Sequence, residues 1–178
     1  MRMDTDSSFS AYNVVNDYSY DELVKVISDY GEEKYATSIA KNIINERNKK
    51  PIETTLELVE IIKKSMPISA MREHHPARKS FQAIRIEVNN ELEVLKEGLE
   101  QAIELINVGG RISVISFHSL EDKIVKNTFN KYCEIPDSIK KLPFIPNEYK
   151  PKFKIITKRI TASDKELEEN NRARSARL

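Results

Sequence analysis

Three groups of residues are of types that could do chemistry. The first lies in GGRISVISFHSLEDKIVK, residues 109–126. Ser116, His118 and Ser119 sit where a β-branched run, Arg111–Phe117, gives way to a helical pattern. That junction is where an open α/β sheet places its chemistry. Hydroxyls beside an imidazole can hold a polar substrate, or relay a proton between serine and histidine. A Ser–His hydrolase also needs a nucleophile elbow and a glycine-built oxyanion turn, and neither can be written here. Simpler roles compete. His118 can bond to the strand-to-helix turn. Ser119 can be the N-cap of the next helix, with Glu121 and Asp122 in its first turn serving the dipole and the cap.

The second group is basic. PISAMREHHPARK, residues 67–79, holds Arg72, His74, His75, Arg78 and Lys79. Such a cluster is either a clamp for an RNA backbone, where phosphate contacts supply much of the affinity, or a solvated linker. The third group is Lys140, Lys141, Lys150, Lys152, Lys154, Lys158 and Arg159, opposed only by Glu148 and interleaved with Phe144, Tyr149 and Phe153. Cations between aromatic rings suit single-stranded nucleic acid, although charge-rich loops are usually just solvated.

Composition narrows the classes of function. The net charge is +1, so no global field draws a polyanion, and nucleic-acid binding must rest on local patches. Cys133 is the sole cysteine, which excludes an internal disulfide and predicts a buried structural thiol. With so few histidines and cysteines, a zinc site is not expected. No apolar run approaches the roughly 20 residues of a membrane span, and MRMDTDSS has no apolar signal core. The expectation is therefore a cytoplasmic protein. The glycines are Gly31, Gly98, Gly109 and Gly110. No dinucleotide or P-loop motif can be written with them.

The elements that must position these residues are mostly helical. Residues 1–18 read as loop. Ser19-Tyr-Asp-Glu22 is a capping box opening a helix that Gly31 should end in a left-handed turn. A second helix is predicted over Glu32–Asn48 and a third behind the Thr54-Thr-Leu-Glu57 capping box, closed by Pro67. A long stripe (Phe81, Ile84, Val88, Leu92, Leu95, Leu99, Ala102, Ile106) predicts one helix over Ser80–Asn107. Arg85 beside that stripe reads as a buried ion-pair partner. Arg111–Phe117 and Phe153–Ile160 read as strands, and residues 133–152, with four of the prolines, as an irregular loop. A long helix, a buried strand and another helix make half of a doubly wound sheet. So few strands would leave a poor sheet, and an exposed half-sheet could pair with a second copy of the chain.

HPARKSFQAIRIEVNNEL (75–92) and GGRISVISFHSLEDKIVK (109–126) resemble the signatures of the bacterial 16S rRNA cytosine-N4 methyltransferases, the small-subunit methyltransferase H or MraW family. MRMD (1–4), YGEEKYATSIAKNI (30–43) and ENNRARSARL (169–178) match the same family in the same order. The resemblance implies an incomplete Rossmann-like class I methyltransferase sheet with an all-helical inserted domain. It divides the chain into a helical insertion with flanking linkers, 1–79, and the C-terminal half of the methyltransferase domain, 80–178. It implies S-adenosylmethionine-dependent methylation of a cytidine N4 in 16S rRNA of the small ribosomal subunit. In the family a half that carries the cofactor loop precedes the MRMD block. The expectation is therefore that this chain alone holds no cofactor site and is inactive. Ser116, His118, Ser119, Arg2 and Asp4 become candidates for supporting the site. Arg72, His74, His75, Arg78, Lys79, Lys150, Lys152 and Lys154 become candidates for RNA contact. The family usually has arginine where this chain has Lys79, which loses bidentate phosphate binding unless Arg78 replaces it. The competing reading is a non-catalytic RNA- or ribosome-binding module.

Overall fold

A computed structural model describes residues 1–71, 75–135, 137–141, 144–157 and 159–178. The chain divides into two compact units, Met1–Glu91 and Leu92–Leu178. The sequence reading divides it at 79/80.

The first unit is built from α1 (Ala11–Asp17), α2 (Tyr20–Asp29), α3 (Ala36–Arg47), α4 (Thr55–Lys64) and α5 (Arg78–Asn89). Both expected capping boxes form. Ser19 Oγ accepts from Glu22 N–H at 3.3 Å while the Glu22 carboxylate accepts from Ser19 N–H at 2.8 Å. Thr54 and Glu57 repeat the exchange at 3.2 and 2.9 Å. Each capped start satisfies donors that the helix itself leaves unpaired. α1 occupies part of the stretch expected to be loop. Ser10 and Asn13 open it with a further capping box, and it buries Val14 and Val15.

Helices α2, α3, α4 and α5 pack through one apolar core that includes Leu23, Ile27, Ile39, Ala40, Ile43, Ile62 and Ile84. Polar bonds fix the connections around it. Asn16 and Ile52 exchange backbone and amide bonds at 2.9 Å in both directions, and Arg47 donates to Val15 O at 2.9 Å. Glycine is required at position 31 for space rather than for its backbone angle. A Cβ there would lie 2.6 Å from Ile27 O and 2.9 Å from Lys79 O. The left-handed residue of this turn is Glu32, at φ 48°.

The long helix expected over 80–107 is two helices, α5 and α6 (Glu91–Leu105). Asn90 breaks it at φ 48° and ψ 39°, a left-handed conformation that asparagine tolerates. Arg85 then grips Glu91 bidentately, Nε to Oε1 at 2.8 Å and Nη2 to Oε2 at 2.9 Å. The expected ion pair is thus present, though the Arg85 side chain stays 43% exposed.

The second unit holds most of α6, then α7 (Ser119–Cys133), α8 (Asp137–Lys140) and α9 (Asp164–Glu169). Leu99, Ile103 and Ala173 are buried within it. Cys133 is half-buried, and burial pushes its thiol above the ordinary range. The Rossmann-like sheet is not there. Among the described residues, β pairing is confined to isolated antiparallel bridges, Ser116 to Arg177 and Thr161 to Arg177. A β-branched run fixes an extended backbone, but a ladder needs a neighbouring strand along its length. Arg111–Phe117 finds only Arg177, so Ile115 and Phe117 remain 59% and 56% exposed. The class is helical, with extended segments meeting at the C-terminal residues.

Candidate functional site

At the strand-to-helix junction, Ser116 and Arg177 exchange backbone bonds of 2.8 and 2.9 Å. Ser116 is 4% exposed, and its hydroxyl lies 3.4 Å from Arg177 O. His118, rather than Ser119, is the N-cap of α7; Ser119 is the first helical residue. His118 Nδ1 accepts from Glu121 N–H at 3.4 Å, and Glu121 Oε2 accepts from His118 N–H at 3.2 Å and Phe117 N–H at 2.7 Å. This is a capping box written with histidine in place of serine or threonine. Because Nδ1 accepts, the proton of the neutral ring is on Nε2. Nε2 is buried and lies 3.3 Å from Glu121 Oε1, but outside hydrogen-bond geometry. Asp122 is not the cap partner. Its carboxylate receives Arg177 Nη1 at 3.1 Å, pinning the C-terminal segment to α7.

The junction therefore brings Ser116, His118 and Ser119 together on a rigid turn but does not couple them for nucleophilic catalysis. The Ser116 hydroxyl is committed to Arg177 O and His118 Nδ1 to the cap. Sequence reasoning gave Glu121 to the dipole and the cap but missed its exchange with His118, and it read 172–178 as the start of a strand but missed the contacts of Arg177. The signal for Glu121 was available, since His118-Ser-Leu-Glu121 has the spacing of a capping box. For Arg177 the extended pattern gave no partner, because its pairing spans sixty-one residues of sequence.

Arg2 and Asp4 lie on the first unit. Arg2 donates to Ser7 O, and Asp4 Oδ1 accepts from Asp6 N–H at 2.9 Å. Both bonds are local and exposed. In the basic linker, Arg72 and His74 lie outside the described residues. His75 Nδ1 accepts from Ala77 N–H at 3.3 Å, a bond in the turn into α5. Arg78 is exposed at the first position of α5, and no carboxylate pairs with it among the described residues. Lys79 Nζ donates to Glu32 O at 2.9 Å, so its ammonium ties α5 to the α2–α3 turn. On the second unit, Lys150, Lys152 and Lys154 are exposed, next to a short 3₁₀ turn at Asn147–Tyr149. Tyr149 and Phe144 are 42% and 72% exposed, while Phe153 meets Tyr132 edge-on with centroids 6.3 Å apart. Lys158 lies outside the described residues.

Helix caps and the arginine that closes on α7 set this geometry, and the class of protein comes from comparison with known families. The match is direct: the family model described as the MraW methylase family covers residues 1–178. The chain belongs to the MraW methylase family.

Methyltransferases generally use S-adenosylmethionine, and Gly31 and Gly110 do not fit the loop that holds it. A cofactor loop needs backbone left bare for close approach. Gly31 is closed against α5, and a Cβ at Gly110 would strike Ile106 Cγ1 at 2.5 Å. Gly98 lies inside α6, and Gly109 turns the chain after it at φ 87°; both have open space around them. Among the described residues no helix is long and apolar enough to cross a membrane.

Proposed function

We propose that this chain serves S-adenosylmethionine-dependent methylation of the exocyclic N4 of a cytidine in 16S rRNA, on the small ribosomal subunit. Family membership over the whole chain is the observation that carries this reading. The chemistry sets what the protein must do. The N4 lone pair is delocalised into the ring, so acceptors have to hold the amine while nitrogen attacks. Positioning supplies much of the rate, and extracting the base from its stack costs about a few kcal/mol.

On this reading the residues here hold RNA and frame the site. Arg78, Lys150, Lys152 and Lys154 supply cations and His75 a ring donor, none with a carboxylate partner among the described residues. His118 and Glu121 fix where α7 begins, and Ser116 with Arg177 holds the extended segment to it. His118 acts as a positioning residue, because its Nδ1 holds the helix cap.

The test compares 16S rRNA from host cells with the encoding gene intact or deleted. Nucleoside mass spectrometry should show N4-methylcytidine at one site lost on deletion. An unchanged level would reject the methylation reading. The second reading, a non-catalytic module, draws on the helical unit, which has a core of its own. It requires co-sedimentation with small subunits together with unchanged N4-methylcytidine.

A further inference from the structure

Within the first unit, Thr55 and Val59 of α4 line an open groove with His75, Ala77, Arg78 and Phe81. Its volume is about 420 Å³, within the rough range of 300–1,000 Å³ that small ligands fill. The lining separates by chemistry. Val59 and Phe81 are half-buried and pack against the core, and Ala77 is buried. They offer an apolar surface with one aromatic ring. Thr55, His75 and Arg78 are the exposed members.

The polar members are donors. His75 Nδ1 accepts from Ala77 N–H, so Nε2 of the neutral ring carries a proton to give. Arg78 has a planar fork of N–H groups that matches phosphate and no acidic partner among the described residues. Among the described residues, no carboxylate lines the groove. An aromatic floor beside donors for an anion is the chemistry that takes an unpaired nucleotide, whose base stacks while its phosphate is held. A double helix would not fit this demand, since its bases are already stacked.

The geometry points to a subsite for one unstacked RNA nucleotide, its base against Phe81 and Val59 and its phosphate on Arg78, with His75 as a further donor. This rests on the RNA reading above and deepens it, by naming where single-stranded RNA is held on the helical unit.

Fluorescence anisotropy of the full chain with a short fluorescein-labelled single-stranded RNA, repeated over a range of salt, tests it. Arg78→Gln should weaken binding about tenfold and reduce the salt slope by about 0.7, the loss of one single-strand phosphate contact. Phe81→Leu should weaken binding about tenfold with an unchanged slope, because stacking is not a charge interaction. Phe81 also packs against the core, so His75→Ala, at an exposed position, gives an independent variant expected to lose a few-fold. Lys96→Gln, whose ammonium is paired with Glu93 at 3.1 Å, should bind as the parent does. The same RNA annealed into a duplex should show no dependence on Phe81. Equal affinities and slopes for the parent, Arg78→Gln, Phe81→Leu and His75→Ala would remove the subsite while leaving the methylation reading intact. Failure of the parent to bind single-stranded RNA would also remove it. Unchanged N4-methylcytidine in the deletion strain would remove the methylation reading, and the anisotropy series would still decide the subsite.

Discussion

Gly31 shows how a single missing atom sets a helix contact. The nearest neighbours of a Cβ at that position are Ile27 O and Lys79 O, both backbone, followed by Ala83 Cβ at 3.3 Å. Backbone cannot swing aside as a side chain can. Gly31→Ala should therefore destabilise the chain by about 1–3 kcal/mol, the usual cost of overpacking. Urea unfolding should show a lower midpoint at unchanged slope, and an unchanged midpoint would sink the idea. Tyr18 is the other informative residue. Its hydroxyl donates to Glu87 Oε1, and burial, then that carboxylate, push the phenol above its ordinary range. A raised folded pKa means that the stabilisation is complete below the unfolded value, about pH 10, and fades as pH climbs past it. Tyr18→Phe should cost about 1 kcal/mol at neutral pH and should lose less stability than the parent above about pH 10. Parallel stability curves for the two proteins on the alkaline side would refute the assignment.

Among the elements, α7 is the one on which the candidate site depends. It starts where it does because His118 and Glu121 cap each other's backbone. His118→Ala should cost about 1 kcal/mol, and His118→Asn should recover most of it, since asparagine is among the best N-caps. Denaturant midpoints for the pair decide the matter: an Asn variant as weak as the Ala variant would mean that the imidazole does something other than cap. Local chemistry of this kind was readable in sequence. The Ser19–Glu22 and Thr54–Glu57 boxes formed as their spacing dictated, and the apolar stripes of α2, α3 and α4 became the core. Other features were set by tertiary contact and were not readable. The stripe over 81–106 is continuous in period, yet Asn90 adopts a left-handed turn and Arg85 closes on Glu91 across it. Arg111–Phe117 has the composition of a buried strand, but composition cannot supply the neighbour that a ladder needs. The candidate site shared both fates. Ser116, His118 and Ser119 do meet at one junction, while the groove beside Arg78 depends on α4 approaching α5, which no local pattern states.

At the scale of the whole molecule, the two units differ in how their backbone is protected. Met1–Glu91 encloses a continuous core in which Val14, Ile27, Ile39, Ala40, Ile43 and Ile62 are fully buried. In Leu92–Leu178 the large buried apolar side chains are Leu99 and Ile103, among the described residues. Of the amides along Arg111–Phe117, Ser116 N–H bonds to Arg177 O and Phe117 N–H to the Glu121 carboxylate. Residues 111–115 are assigned no bridge. Opening free energies follow buried apolar contact and backbone pairing, from near zero in frayed segments up to the global value in core helices. Hydrogen exchange read by mass spectrometry should therefore rank peptides from α2, α3 and α4 slowest and residues 111–115 fastest, with at least roughly a hundredfold between them, about 2.7 kcal/mol. The Ser116 amide should stand out as slow among its neighbours. Arg177→Ala should leave that backbone bond but remove the hold on Asp122, so exchange should quicken at Ser116 and in the first turn of α7 while α2–α4 stay unchanged. Slow exchange throughout 111–115 would show that these amides have partners in solution, and the helical description of the second unit would have to give way.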